Sequence, residues 1–120
     1  MRNFLAGGLA AAVLVTSTVP VLAGGEATKS EIVAAFVGKT LQFENGDTFA
    51  YAPDGGYTYT ALKPSKQFKG WYTIGNGFVC VQFVDGGARC DTILTDGRFF
   101  MFVNTKGQRY LAIPESTLPL

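Results

Sequence analysis

Cys80 and Cys90, the chain's two cysteines, stand ten positions apart in GFVCVQFVDGGARCDTIL (77–94), astride an Asp-Gly-Gly turn. Thiols at such a separation could form a redox couple, ligate a metal or bridge. A redox pair wants two intervening residues, and here there are nine. Two thiolates cannot complete a tetrahedral zinc shell, and the chain has no histidine to add. A structural disulfide remains, as expected of an even cysteine count in a small exported chain. Other reactive groups are sparse. Without histidine the commonest general base near neutral pH is missing. Beyond the N-terminal leader only Ser30, Ser65 and Ser116 carry a serine hydroxyl, none in a G-x-S-x-G or S-x-x-K setting. Carboxylate pairs could be drawn from Glu44, Asp47, Asp54, Asp85, Asp91 and Asp96, most of them in or beside Gly-containing turns where Asp serves the backbone. Glu44 and Asp47 flank Asn45-Gly46, but two carboxylates fall short of the six to eight oxygens that calcium takes. No catalytic residue, metal or cofactor is expected.

Location is easier to read. MRNFLAGGLAAAVLVTSTVPVLAGGE opens with a basic n-region at Arg2, an apolar h-region from Phe4 to Val15, and a c-region ending Val21-Leu22-Ala23. This is the grammar of a signal peptide (1–23), cut between Ala23 and Gly24. The apolar run is too short to span about 30 Å of hydrocarbon, so no transmembrane segment is expected. The expected location is periplasmic or secreted, where disulfides persist. The mature 97 residues (24–120) fit one domain. Without Arg2, nine basic side chains face nine acidic ones, a balance that argues against a nucleic-acid partner.

Thr28-Lys29-Ser30-Glu31 matches a capping box, followed by an apolar stripe of Ile32, Val33, Phe36 and Val37 and by Gly38 as C′ residue. One short helix is predicted over 29–37, too short to persist without docking. Beyond it, apolar and aromatic runs are separated by NG (45–46), PDGG (53–56), GNG (75–77), DGG (85–87), DG (96–97) and TKG (105–107). These are hairpin signals. They predict strands over 39–44, 47–52, 56–61, 68–74, 78–83, 88–94, 98–103 and 108–113. The fold class is all-β: a small eight-stranded antiparallel meander, closed or nearly closed into a barrel, with one short N-terminal helix. LKPSKQ (62–67) reads as the least regular connection, because Pro64 forbids a strand interior. A three-residue loop at Val84, Asp85 and Gly86 would set Cys80 opposite Cys90, with Gly86 left-handed; a four-residue loop would leave the pair diagonal.

Both faces of the sheet carry apolar residues. Trp71, Phe78, Cys80, Cys90, Leu94, Phe99, Met101 and Val103 share one side, and Tyr72, Ile74, Val79, Val81, Phe83, Ile93, Phe100 and Phe102 the other. Either one face fills the barrel while the helix covers part of the other, or an apolar surplus serves a partner. Tyr57 and Tyr59 share a face, with Tyr51 across the turn, a pattern for cross-strand aromatic packing. Lys63, Lys66 and Lys69 lie in the acid-free span between Asp54 and Asp85, with Trp71 and Tyr72 directly after. These five form the candidate partner-binding set, suited to a glycan, an anionic lipid or an acidic protein. The alternative is a solvated loop whose lysines keep an edge from pairing. The functional expectation is a non-enzymatic binding module acting on an envelope protein, a glycan or a small apolar ligand. A carrier of such a ligand inside the barrel is the second reading, and a carboxylate- or tyrosine-based enzyme the third.

GKTLQF, FAYAPDGGYTY, GWYTIGNGFVCVQF, RCDTI and DGRFF, in that order, resemble small uncharacterised secreted proteins of alphaproteobacteria. The shared pattern is an A-P-D-G turn, a G-W element and two cysteines on successive strands. The resemblance implies a β-barrel fold and export, and carries no catalytic residue. The chain is more loosely similar to periplasmic lysozyme inhibitors, also small disulfide-stapled β-barrels. Their S-G-x-x-Y inhibitory string is missing here, so the inhibitory residues do not transfer.

Overall fold

The computed structural model describes residues 24–114. The leader reading, with its cut after Ala23, falls on residues outside those described, as do the last six of the expected domain. The elements run β1 (Gly25–Glu26), α1 (Lys29–Phe36), β2 (Thr40–Phe43), β3 (Thr48–Tyr51), β4 (Gly56–Leu62), β5 (Ser65–Gly75), β6 (Phe78–Phe83), β7 (Ala88–Thr95), β8 (Phe100–Val103) and β9 (Arg109–Pro114). From β2 to β9 each strand pairs antiparallel with the next, and β9 returns to β2 through Gln42 opposite Ile113. The meander is therefore a closed eight-stranded barrel. The short β1, too brief to leave a sequence pattern, adds beside β7 at Thr95 and Leu94.

Each of the six turn signals holds a glycine with positive φ: Gly46, Gly55, Gly77, Gly86, Gly97 and Gly107. At the β6–β7 hairpin the three-residue loop is the one adopted. The Phe83 amide donates to the Gly87 carbonyl at 2.7 Å, Gly86 has φ 111°, and Cys80 faces Cys90 with Cα atoms 4.0 Å apart in a disulfide. Alternation then sorts the faces as expected. Leu41, Phe49, Tyr51, Val79, Val81, Ile93 and Phe102 are buried inside, whereas Trp71, Phe78 and Phe99 are exposed outside. Gly70 faces inward where a Cβ would lie 2.2 Å from the Gln82 carbonyl oxygen, so the β5–β6 contact excludes any side chain there.

Two expectations are corrected. Residues 62–67 are not an irregular loop: β4 and β5 pair through Leu62 opposite Ser65, leaving only Lys63 and Pro64 as the turn. Pro64 sits in the turn itself and so removes no ladder hydrogen bond. The helix, in turn, does not lie on the outer face. Its capping box forms as read, with Thr28 Oγ1 accepting from the Glu31 amide and Glu31 Oε1 from the Thr28 amide. The Phe36 ring, however, meets the inward-facing Tyr51, Phe100 and Phe102 at 5.2–5.5 Å. Ile32 and Phe36 are fully buried while Val33 is exposed, so the apolar stripe is narrower than predicted. The helix closes the barrel end that carries the turns after β3, β5 and β7, because the open aromatic interior there offers more area to bury than the outer wall. Its start is pinned by the Lys29 amide donating to Asn76 Oδ1 and the Gly77 amide to the Ala27 carbonyl.

Candidate functional site

With one end plugged, the opposite end is the mouth, ringed by the turns after β2, β4, β6 and β8. The alternation of β7 sends Ala88, Cys90, Thr92 and Leu94 outward and Arg89, Asp91 and Ile93 inward. Two charged residues therefore project into the barrel. Arg89 donates from Nε to Asp91 Oδ2 and from Nη2 to Asp91 Oδ1, each at 3.0 Å. The Asp91 side chain is 7% exposed and that of Arg89 38%. Burial works against the Arg89 charge, but the hydrogen bonds and field of Asp91 outweigh it and raise the guanidinium's pKa. It stays a cation at any physiological pH.

Above this pair lies a half-open cavity of about 660 Å³. Phe43, Tyr59 and Tyr110 give it aromatic walls, and Asn45, Asn104, Lys106 and Gln108 give it a polar rim. Its size falls in the range of small-molecule sites, roughly 300–1,000 Å³. The rim is held by its own hydrogen bonds. Asn104 Oδ1 accepts from the Lys106 and Gln108 amides, and Asn104 Nδ2 donates to Gln108 Oε1 at 2.8 Å. Across the mouth, Tyr59 donates its hydroxyl to Asp47 Oδ2 at 2.5 Å, while Asp47 Oδ1 accepts from the Leu62 amide. The Tyr59 bond is the main cause of a lowered Asp47 pKa; burial, then the same bond, pushes the Tyr59 hydroxyl up. Asp47 is thus spent on the wall. Among the described residues no three Cys, Asp or Glu side chains converge as a metal site requires.

The candidate binding set from the sequence is divided among several environments. Lys63 is exposed in the β4–β5 turn, and Lys66 holds its Nζ 4.9 Å from the centroid of the Phe68 ring. Lys69 and Trp71 face outward, Trp71 at 58% exposure. Tyr72 points the other way, packing 5.0 Å from Tyr51 and donating to the Ala52 carbonyl at 2.6 Å. Tyr72 therefore shares no face with Lys69 or Trp71; Lys66 has its inward parity but lies six positions away, beside the β4–β5 turn. Sequence reading missed Arg89 and Asp91 as a pair. The available signal was Arg-Cys-Asp itself: with Cys90 outward, period two sends both neighbours inward. The disulfide crosses the outer wall at that same level, with Cys90 exposed.

The chain matches no family model, and no curated protein or solved structure matches it.

Proposed function

We propose that this chain is an exported, non-enzymatic binding protein that holds a small ligand with an apolar body in the barrel mouth. The observation that carries the reading is the cavity above Arg89 and Asp91: one end of the barrel is packed solid by Phe36 and its aromatic neighbours, and the other is hollow. An eight-stranded barrel has just enough interior for one small ligand when side chains leave part of it empty. Aromatic walls with a few fixed polar groups are the usual make-up of such a site. Export is supported by the Cys80–Cys90 bridge, which would not persist in a reducing cytosol. No helix among the described residues is long and apolar enough to cross a membrane.

The test is titration of the chain from Gly24 onward with N-phenyl-1-naphthylamine, an uncharged fluorophore that brightens in apolar surroundings. Saturable enhancement with one site per chain is expected, and Gln108→Trp, which fills the mouth from the rim, should abolish it. Unchanged binding in that variant would move the site elsewhere. A second reading, a docking surface for a protein on the outer wall, is favoured by the exposure of Trp71 beside Lys69. Loss of a captured partner on Trp71→Ala, with fluorophore binding intact, would establish it separately.

A further inference from the structure

We infer that the ligand of this cavity carries a carboxylate, read by the half of the Arg89 guanidinium that Asp91 leaves free. The inference rests on the reading of the mouth as a ligand site. A guanidinium has five N–H donors in a rigid plane. Asp91 takes one from Nε and one from Nη2, the side edge of the group. Both protons of Nη1 and the second proton of Nη2 remain, and they meet no acceptor among the described residues. The Nη1 and Nη2 protons at the end of the group point in parallel, the fork that grips a planar carboxylate with two hydrogen bonds. The side edge faces a carboxylate that is 7% exposed, whereas the arginine side chain is 38% exposed and lines the cavity. The free end is therefore the part of Arg89 that a ligand meets.

Charge selects among anions. The charged side chains lining the cavity are Arg89, Asp91 and Lys106, and Lys106 forms no ion pair among the described residues. Arg89 and Asp91 cancel, which leaves one positive charge at the rim. A monoanion brings the lining side chains to neutrality, and Asp47, held by Tyr59 across the mouth, adds to the repulsion of any second negative charge. A phosphate dianion would leave an excess negative charge in a partly desolvated mouth, which is unfavourable. The three aromatic walls then suit a flat apolar body behind the carboxylate.

The experiment is competition between 2-naphthoate and its uncharged counterpart 2-naphthalenemethanol for the N-phenyl-1-naphthylamine site, checked by calorimetry. The chain should prefer the acid by about 10- to 100-fold, the discrimination of a charge-assisted pair. Arg89→Lys keeps a cation beside Asp91 but removes the fork, and should lose most of that preference while still binding the alcohol. Arg89→Met with Asp91→Leu strands no charge, so the barrel should stay folded, and this variant should keep only the small acid preference that the rim charge of Lys106 supplies. Equal binding of the two by the unaltered protein would overturn the carboxylate inference and leave the carrier reading standing. An acid preference that survives the double replacement undiminished would overturn the role of Arg89. Failure of acid, alcohol and fluorophore alike would overturn both readings.

Discussion

Consider Arg89→Met, a change of similar volume that removes only the charge and its donors. Asp91, 7% exposed, would lose both hydrogen bonds and keep its charge inside the barrel. Breaking a buried pair from one side typically costs about 3–5 kcal/mol. Here the lower figure applies, about 3 kcal/mol, because the vacated space opens on the cavity and water can reach the stranded carboxylate. With a urea slope of about 1.5 kcal/mol/M for a domain of this size, the midpoint should fall by about 2 M. Arg89→Met with Asp91→Leu removes both charges and should recover nearly all of this, within about 1 kcal/mol of the parent or better. Equilibrium urea unfolding of the parent, both single variants and the double variant gives the coupling directly. If each single change costs under about 1 kcal/mol and the two simply add, the pair is solvent-screened and the inward placement of Arg89 and Asp91 is wrong.

Trp71, the chain's single tryptophan and 58% exposed, should be readily quenched by iodide in fluorescence, and Trp71→Ala should shift stability by less than about 1 kcal/mol. Tyr51, Tyr57 and Tyr59 are pushed up, above all by burial, so the stability they contribute is complete below the ordinary tyrosine value of about 10 and is lost as pH rises beyond it. Ultraviolet titration should show these three ionising together with loss of near-ultraviolet circular dichroism; smooth ionisation near pH 10 with the fold intact would contradict their burial. Cys80→Ala with Cys90→Ala should cost about 3 kcal/mol in chain-entropy terms and should speed amide exchange at Arg89 to Asp91 more than at Ile93.

The barrel was legible because its turns are chemically explicit. A positive-φ glycine must be glycine or something close to it, so Asn45-Gly46 or Asp85-Gly86 announces a hairpin with no tertiary information. Period two then assigns the faces, while the sequence leaves Cys80 and Cys90 directly opposed or diagonal according to a three- or four-residue loop, and the three-residue loop opposes them. What failed was whatever depends on how closed surfaces meet. The sequence of the helix says that Ile32 and Phe36 must be covered, but only the closed ring shows that the barrel's end, rather than its wall, accepts Phe36. Pro64 looks like a breaker in sequence, since a hairpin turn confined to Lys63-Pro64 carries none of the Asn-Gly or Asp-Gly signals. The lysines, Trp71 and Tyr72 form one set only by adjacency in sequence: alternation already puts Trp71 and Tyr72 on opposite faces, and Tyr72 packs inward on Tyr51.

The inward charges raise a question of register that the disulfide answers. The buried, inward-facing side chains of the barrel are otherwise apolar, but the start of β7 departs from this, with Ala88 and Cys90 outward and Arg89 and Asp91 inward. Taken alone, that stretch would gain by slipping one residue along β6, which would turn both charges to water and Cys90 into the barrel. Farther along the same strand the pattern is ordinary: Ile93 is fully buried and a slip would expose it. The two halves of β7 thus favour different registers. Cys80 stands directly opposite Cys90 at the level where the conflict lies, and a covalent bond between them permits only the register that keeps Arg89 and Asp91 inside. A bridge on the outer wall is therefore a positioning device for the cavity behind it. That accounts for a staple at a place where the apolar core, by itself, has least hold on the strand.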